Sequence, residues 1–241
     1  MVSVQFNRED FDFVNQFGRL ELLIGDKINK IKQKSILLVG LGGVGSYACE
    51  SLIRSGIENI TIVDSDIIDI TNLNRQLMTN LSNVGKLKTD VWKDRIHSIN
   101  PDCRVDAIAN FIDKSNIDLL FHKKIDYVID ACDTIDTKVL LIEKCIQNNI
   151  KIISCMGTGN KMNPQRLKIV DISKTNYDKL AKIMRKKLKE KGINHTLVVS
   201  SDEPGYTKID KTIPSNSFVP ATAGLLLTSY VINDIVGDND V

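Results

Sequence analysis

A glycine-rich segment near the start of the chain constrains the fold more than any other feature of the sequence. The apolar run Ser35–Val39 is long enough for one buried strand, and a second such run, Asn59–Val63, ends at Asp64. Four clustered glycines follow the first run directly, three of them in G-x-G-x-x-G spacing: Gly40, Gly42, Gly43 and Gly45. Such glycines let the backbone turn sharply and approach a phosphate at the N-terminus of the following helix. We therefore predict a nucleotide-binding strand–helix–strand unit in which Asp64 binds a ribose hydroxyl.

Apolar runs and amphipathic segments continue to alternate along the chain, and this alternation defines the fold class. Further strands are predicted at residues 104–109, 125–129, 150–154, 166–172 and 196–200, and helices at 83–100, 113–121, 138–147, 177–191 and 218–236. The pattern is typical of an α/β fold with a Rossmann-like, doubly wound and mostly parallel sheet. We expect a single domain over residues 1–241, with a helical N-terminal lead-in at 1–34, a substrate-facing insertion at 157–217 and a C-terminal helix.

Composition narrows the possible classes of protein. The formal net charge of +2 gives no global attraction to nucleic acid, and no apolar run approaches the ~20 residues of a membrane span. The N-terminus lacks a secretory signal pattern, so we expect a cytoplasmic protein with no membrane partner. The five cysteines form no C-x-x-C pair and the three histidines are scattered, which favours reduced core cysteines over a zinc site.

Polar side chains follow two of the predicted strands at the carboxyl ends, where open α/β sheets bind their ligands. They comprise two cations, two amides and one carboxylate: Arg75, Lys88, Asn72, Gln76 and Asp133. Two cations are more than a dinucleotide pyrophosphate needs, and a carboxylate suits magnesium. No Tyr-x-x-x-Lys pair for hydride transfer is evident. These residues therefore favour ATP over NAD.

Two features of this cluster have a structural interpretation beside the functional one. Asp133 or the adjacent Thr134 can cap the helix that follows, and Asp133 can also contact magnesium beside phosphates. Lys86 and Lys88 are predicted in the first turn of the helix at 83–100, where cations oppose the helix dipole. Their position favours an anionic ligand nearby.

The predicted helix at 177–191 has an apolar stripe and a strongly basic remainder. Five of its cations are candidates for contact with a nucleic acid: Lys179, Lys182, Arg185, Lys186 and Lys189. A basic amphipathic helix is often only a solvated face of a globular protein. From these residues alone, that interpretation and a nucleic-acid surface are equally well supported.

Several motifs together resemble the adenylating domain of the ubiquitin-activating-enzyme-like (ThiF/MoeB/HesA) superfamily. These are GLGGVGS, VDSD, TNLNRQ, Lys88 and DACDTIDTK, while MGTGNKMNP, DISKT, VVSSDEP and SFVPATAG resemble its branch of tRNA threonylcarbamoyladenosine dehydratases. The resemblance covers nearly the whole chain. It implies an enzyme that uses ATP and Mg²⁺ to adenylate the threonyl carboxylate of N6-threonylcarbamoyladenosine in tRNA. The carbamoyl group then captures the adenylate, giving a cyclic product.

The resemblance also implies roles for individual residues. The four glycines form the nucleotide turn, Asp64 holds the ribose, and Asp66 lies close to the α-phosphate. Asp133 binds magnesium, and Arg19 reaches across a homodimer to the γ-phosphate bound by the partner subunit. Phosphate contacts are implied for Asn72, Arg75, Gln76 and Lys88. A tRNA substrate also favours the nucleic-acid interpretation of the basic helix, which would contact RNA phosphates.

Three other functions stay open on the sequence. Adenylation of a ubiquitin-like sulfur-carrier protein is disfavoured because residues 156–241 contain no cysteine for a thioester. An NAD-dependent oxidoreductase rests on the glycine spacing alone. A non-catalytic ATP-binding module, partner of a cysteine desulfurase or sulfur acceptor, is disfavoured by the full set of predicted catalytic residues: Arg19, Arg75, Lys88 and Asp133.

Overall fold

A single seven-stranded sheet organises the described part of the chain, which in this computed structural model comprises residues 15–208 and 212–237. The strands are β1 (Ser35–Val39), β2 (Asn59–Val63), β3 (Arg104–Ile108), β4 (Tyr127–Asp130), β5 (Lys151–Cys155), β6 (Leu167–Asp171) and β7 (Leu197–Ser201). Their order is β3-β2-β1-β4-β5-β7-β6, and only β6 runs antiparallel to its neighbour. The predicted α/β, doubly wound and mostly parallel sheet is confirmed.

Helices cover both faces of this sheet. They are α1 (Gly18–Ile24), α2 (Ile28–Lys32), α3 (Gly45–Arg54), α4 (Lys88–Ile99), α5 (Ile135–Gln147), α6 (Lys179–Glu190) and α7 (Phe218–Val236). Side chains of β1 alternate between the faces: Ile36 and Leu38 pack with α2, α3, α4 and α7, whereas Leu37 and Val39 pack with α5. This period of two is the geometry of a strand buried on both sides.

The strand order reverses between β1 and β4, and this reversal locates the ligand crevice. From β1 the chain proceeds outward through β2 and β3, whereas β4 lies on the other side of β1 and leads to β5. Connections that diverge in this way leave a gap at the carboxyl ends of the two central strands. The Gly40–Gly45 turn and the segment after Asp130 both begin at that gap.

A buried ion pair fixes the segment after β4. Lys138 Nζ lies 2.8 Å from Asp130 Oδ2, and both side chains are fully buried. Burial disfavours the charged form of Lys138, but the Asp130 carboxylate more than compensates and raises the pKa of Lys138. Removing one partner of such a pair leaves an uncompensated buried charge. The pair therefore holds α5 against the end of β4. Asp133 lies between the two paired residues in the sequence.

The helix predicted at residues 83–100 begins five residues later, at Lys88. The segment before it is held in turns by Asn83, whose Oδ1 accepts from Asn80 N at 2.9 Å and whose Nδ2 donates to Met78 O at 2.6 Å. Ile68 N then donates to Lys86 O at 2.8 Å. Lys86 is consequently outside the helix, and only Lys88 occupies its first turn.

The helix predicted at residues 113–121 is also shorter than expected. Asp113 Oδ1 accepts from Ser115 N at 2.7 Å in a local turn, and a 3₁₀ segment follows only at Ile117–Phe121. An aspartate that bonds its own backbone two residues on competes with helix formation. The predicted helix is therefore a turn followed by one tight helical segment.

The C-terminal helix confirms the prediction for residues 218–236. Among the described helices it is the one with the length and composition of a membrane span, a property that core helices share. It packs closely on α3: Thr228 Oγ1 donates to Ala48 O at 3.1 Å, and a Cβ at Gly224 would lie 2.3 Å from Val44 O. This helix is thus an internal support of the nucleotide turn.

The division into an N-terminal lead-in and a substrate-facing insertion stays a prediction. Helices α1 and α2 account for the described part of the lead-in, and residues 1–14 lie outside the described residues. The segment 157–217 contributes β6 and β7 to the same sheet and α6 to one of its faces. Its orientation toward the substrate stays a prediction.

Candidate functional site

The glycine turn after β1 depends on two close backbone contacts. Gly40 has a φ of 93°, and a Cβ there would lie 2.7 Å from the Ala131 backbone. A Cβ at Gly45 would lie only 1.8 Å from the Gly40 carbonyl oxygen. Gly42, by contrast, has open space, since its Cβ would meet only Gln76 Nε2 at 3.9 Å. Gly40 and Gly45 therefore shape the turn, and Gly42 leaves room beside it for a ligand.

A cavity of about 350 Å³ opens beside this turn at the carboxyl ends of β1, β2 and β4. The predicted nucleotide-site residues that line it are Gly40, Gly42, Gly43, Asp64, Asp66, Asn72, Arg75, Gln76, Lys88 and Asp133. Gly45 lies behind the turn as the first residue of α3. Residues spread over 94 positions of the chain thus converge on one cavity.

Asp64 braces the two strand ends against each other. Its Oδ2 accepts from Leu41 N at 2.7 Å, and its Oδ1 accepts from Asp66 N at 2.9 Å. A carboxylate has about four lone-pair sites, so two bonds leave capacity for a ligand hydroxyl. Asp64 can therefore shape the turn and bind a ribose at the same time.

Lys88 contributes a cation to the lining of the cavity. Its side chain is 6% exposed, and its Nζ lies 2.7 Å from Asp66 Oδ2 and 3.7 Å from Asp64 Oδ1. Backbone pairing holds it there, because Lys88 N donates to Asp66 O at 3.1 Å. Asp66 itself is exposed, so its pairing with Lys88 is open to exchange for an anionic ligand.

Arg75 and Gln76 also line the cavity, in the turn that follows a 3₁₀ segment at Ile70–Asn72. Arg75 NH1 donates to Thr71 O at 3.1 Å and to Asn74 Oδ1 at 2.9 Å, which leaves further guanidinium donors for a ligand. Gln76 is buried, and its Oε1 has no hydrogen-bond partner among the described residues. An orphaned buried acceptor at a cavity wall is a group that a ligand donor can satisfy.

Asp133 and Thr134 were predicted either to cap helix α5 or to contact magnesium. Thr134 is the N-cap residue of α5 but makes no side-chain capping bond, and Asp133 is exposed at the cavity wall. Asp133 is thus free of a capping role. Its contact with magnesium stays a prediction.

Several cavity residues were not predicted from the sequence. Asn110 and Phe111 follow β3 directly, so the rule for strand ends would have found them. Thr158 and Ser215 lie 57 positions apart and meet at the cavity because Asn160 N donates to Pro214 O at 2.7 Å. No local signal in the sequence marks this pair.

Arg19 is not brought to the cavity within one chain. It lies exposed on α1 and is not among the residues that line the cavity. Its predicted role across a homodimer stays a prediction.

All five cysteines are poor nucleophiles. They are Cys49, Cys103, Cys132, Cys145 and Cys155, and none forms a disulfide. Burial raises the pKa of Cys103, Cys145 and Cys155 to about 12 and raises the pKa of Cys49 and Cys132 as well. The thiolate is the reactive form, so a raised pKa disfavours nucleophilic chemistry by these side chains at neutral pH.

Helix α6 presents a row of lysines to solvent. Lys179, Lys182, Lys186 and Lys189 recur at helical spacing and are exposed, without an ion pair among the described residues. Arg185 differs from them, because its NH1 donates to Thr175 O at 3.0 Å and to Thr175 Oγ1. Its predicted contact with tRNA competes with this bracing of the loop before α6.

Comparison with known proteins places this arrangement in a family. The model of the ThiF family matches residues 14–238. The chain belongs to the ThiF family. A curated relative, tRNA threonylcarbamoyladenosine dehydratase of Bacillus subtilis, is 40% identical over 95% of this chain and 97% of its own length.

Solved structures of one relative share the fold over nearly the whole chain. The E. coli tRNA N6-threonylcarbamoyladenosine dehydratase, TcdA, in complex with ATP has a TM-score of 0.86 at 33% identity, covering 92% of this chain and 94% of that chain. Its complex with AMP has a TM-score of 0.88 at 32% identity, covering 98% of each chain. The E. coli protein was thus solved with each of these two nucleotides, and its fold is similar to that of this chain.

Gly45 and Gly42 provide a matched test of the turn. We expect Gly45→Ala to destabilise the protein by about 1–3 kcal/mol or more, because its Cβ meets a backbone oxygen that cannot move freely. Gly42→Ala is the matched control, and we expect its free energy of unfolding to stay within about 0.5 kcal/mol of the parent. Urea unfolding of both variants checks this. Equal stabilities would contradict the contact between residues 45 and 40.

Proposed function

We propose that this protein catalyses the ATP-dependent dehydration of N6-threonylcarbamoyladenosine in tRNA, in which adenylation of the threonyl carboxylate precedes its cyclisation. The observation that carries the proposal is the cavity itself. It combines the glycine turn, two cations and an exposed carboxylate in a chain that aligns end to end with dehydratases of this modified nucleoside. The cytoplasmic location that the sequence predicts stays a prediction.

The glycine turn and Asp64 account for the nucleoside end of ATP. The N-terminus of α3 begins at Gly45, and the unsubstituted Gly42 lets a phosphate come close to the backbone there. Asp64 would accept from a ribose hydroxyl, and Gln76 Oε1 would gain a donor from the ligand. These contacts would fix the position of the α-phosphate.

The two cations account for the phosphate chain. Lys88 would leave Asp66 for a phosphate oxygen, and Arg75 would present its free donors to the departing pyrophosphate. Both are held by backbone contacts, so they are oriented before the reaction begins. Stabilisation of developing negative charge by such preorganised groups is worth roughly 3–4 kcal/mol per group in other enzymes.

Asp133 is the residue that would hold magnesium. Among residues 15–208 and 212–237, no group of three or more His, Cys, Asp or Glu side chains is arranged to hold a metal ion. One carboxylate nevertheless fits Mg²⁺ in a nucleotide site, where substrate phosphates and water supply the other ligands. When bound, Mg²⁺ neutralises charge on the phosphates during transfer.

The reaction balances without a protein nucleophile. A carboxylate oxygen of the threonyl group attacks the α-phosphorus of ATP, and pyrophosphate leaves. The carbamoyl group then attacks the activated carbonyl carbon, AMP leaves with the former carboxylate oxygen, and the carbamoyl proton passes to solvent. The nucleoside thereby loses one water. Holding the two ends of one substrate together accelerates such a step strongly.

The cysteines argue against transfer through a protein thioester. Each of the five thiols has a raised pKa because it is buried, so none supplies the thiolate that a sulfur-carrier activator needs. Capture within the substrate requires no such group. Association with a cysteine desulfurase or sulfur acceptor stays a prediction.

Direct detection of the product tests the proposal. The protein with ATP, Mg²⁺ and tRNA bearing N6-threonylcarbamoyladenosine should remove one water from that nucleoside, which mass spectrometry of the digested tRNA detects. Asp133→Ala should lower the rate about 100-fold or more, because it removes the carboxylate beside the phosphates. An unaltered nucleoside mass under conditions that consume ATP would overturn the substrate assignment.

We further propose a homodimer in which Arg19 completes the site of the partner subunit. Helix α1 reads GRLELLI, yet none of its residues is buried, and Leu23 is 80% exposed. Leu20 and Ile24 pack against the core, whereas Leu23 points an apolar side chain outward beside Arg19. Such an exposed apolar side chain fits a subunit interface. Because Arg19 lies outside the cavity of its own chain, a contribution across the interface would place a third cation at the triphosphate.

Mixed dimers test this assignment. Arg19→Ala and Lys88→Met should each be inactive alone, but subunits mixed and re-equilibrated should regain about a quarter of the parent activity, since half of the dimers hold one intact site. Mixing Lys88→Met with Arg75→Ala is the matched control, because both residues line the same cavity, and it should regain none. Failure of the first mixture to recover would exclude a role for Arg19 across subunits.

Helix α6 supplies the surface that we propose for tRNA phosphates. Its exposed row of four lysines carries positive charge that is not neutralised by described carboxylates. Lys187 and Lys191, on the adjoining face, pair instead with Asp136 at 2.6 Å and Glu143 at 2.8 Å on α5. The helix is therefore divided into a paired face toward the protein and an unpaired face toward solvent.

This division gives a matched pair of variants. The triple variant Lys182→Gln, Lys186→Gln, Lys189→Gln should weaken tRNA binding and reduce its salt dependence by about one unit of slope per lost contact. ATP affinity should not change. The variant Lys187→Gln, Lys191→Gln should leave tRNA affinity within about twofold. Equal effects of the two variants on filter-binding isotherms would argue against a specific role for the exposed face.

A further inference from the structure

Two largely exposed tyrosines lie outside the set of residues that line the cavity. Tyr177 is 69% exposed and Tyr206 is 70% exposed, although the protein has only five tyrosines. Neither takes part in the nucleotide contacts described above. Exposed tyrosine rings offer apolar faces on which a ligand can stack.

Two adjacent residues, Asn160 and Lys161, each hold the backbone of one tyrosine. Tyr206 N donates to Asn160 O at 3.0 Å, and the Asn160 side chain makes two further bonds to the Thr207 backbone, at 2.8 Å and 3.0 Å. Lys161 Nζ donates to Tyr177 O at 3.2 Å and to Glu203 O. Asn160 and Lys161 are adjacent, so one short segment anchors the backbone at both tyrosines.

This arrangement is maintained at an energetic cost. Tyr177 has a φ of 53° and Asn160 a φ of 57°, values that side-chain-bearing residues rarely adopt. Lys161 is only 6% exposed, and burial lowers its pKa despite the nearby charges of Asp178 and Glu203. Strained backbone and a buried cation persist where surrounding contacts enforce them, and they concentrate at ligand-binding sites.

The segment connects the cavity to the basic helix. Thr158 lines the cavity two residues before Asn160, and Asn160 N bonds Pro214 O next to the cavity residue Ser215. On the other side, Asp178 follows Tyr177 directly and caps α6 by accepting from Ala181 N at 2.9 Å. The tyrosines thus lie between the proposed site of adenylation and the proposed phosphate-binding lysines.

We propose that Tyr177 and Tyr206 form a stacking platform for unpaired bases of the tRNA loop that carries the modified adenosine. The inference rests on the proposed function and adds a recognition surface to it. Proteins recognise single-stranded RNA loops by stacking splayed bases on aromatic rings beside a positively charged track for the backbone. The unpaired lysines of α6, which begins at Lys179, supply that charge. They favour an RNA occupant over an apolar protein segment.

Binding of an RNA stem-loop tests the platform without requiring turnover. The probe is an unmodified anticodon stem-loop, compared with a fully duplexed RNA of equal length. Tyr177→Ala and Tyr206→Ala should each weaken stem-loop binding about 10- to 100-fold and leave duplex binding and the salt dependence unchanged. Tyr177→Phe and Tyr206→Phe keep the ring and should stay within about threefold of the parent.

Controls separate stacking from loss of structure. Leu119→Ala removes another exposed apolar side chain, 61% exposed and outside the cavity, and should not change stem-loop affinity. Melting temperature and ATP affinity of the alanine variants should match the parent. Unchanged stem-loop affinity in both alanine variants, or equal losses in alanine and phenylalanine variants, would overturn the platform.

The outcome is distinguishable from failure of the proposed function. If the parent protein dehydrates the modified nucleoside but the alanine variants bind the stem-loop normally, the platform is wrong and the proposed function stands. If the parent binds the stem-loop with the expected ring dependence but never removes water from the nucleoside, the proposed reaction is wrong and the RNA surface stands.

Discussion

The contact between Gly45 and the Gly40 carbonyl is the constraint on which the site depends. A Cβ at residue 45 would lie 1.8 Å from that oxygen, so only glycine allows α3 to begin so close to the end of β1. Helix α7 supports the same turn from behind, with Gly224 against Val44. This proximity places the α3 N-terminus at the gap between β1 and β4, where an anion gains both the helix dipole and unpaired N–H groups.

The buried cations at and near the cavity are already paired with carboxylates in the free protein. Lys88 is nearly buried between the carboxylates of Asp64 and Asp66, and the buried pair of Asp130 and Lys138 stabilises the segment that carries Asp133. A buried cation without such partners would be costly. With them, the ammonium of Lys88 is held in a fixed position in the cavity.

Parts of the fold and site that depend on neighbouring residues were predictable. Strands β1 and β2 have the predicted bounds, because their apolar runs are short and end at glycine and aspartate. The start of α4 could not be predicted in this way. Asn83 bonds the local backbone, and Lys86, in the segment before Lys88, pairs with Ile68. A periodic apolar pattern cannot reveal such competition between a turn and a helix.

By itself, the sequence determined the fold class, the glycine turn, and the residue types at the strand ends that favour ATP over NAD. Tertiary structure decided which side chains share the cavity, since that depends on strand order and on bonds between distant loops. Thr158 and Ser215 meet only because Asn160 bonds Pro214, and Arg185 braces its own loop although its neighbours on α6 face solvent. Local sterics fix backbone conformation within a few residues, whereas convergence of side chains depends on the packing of the whole sheet.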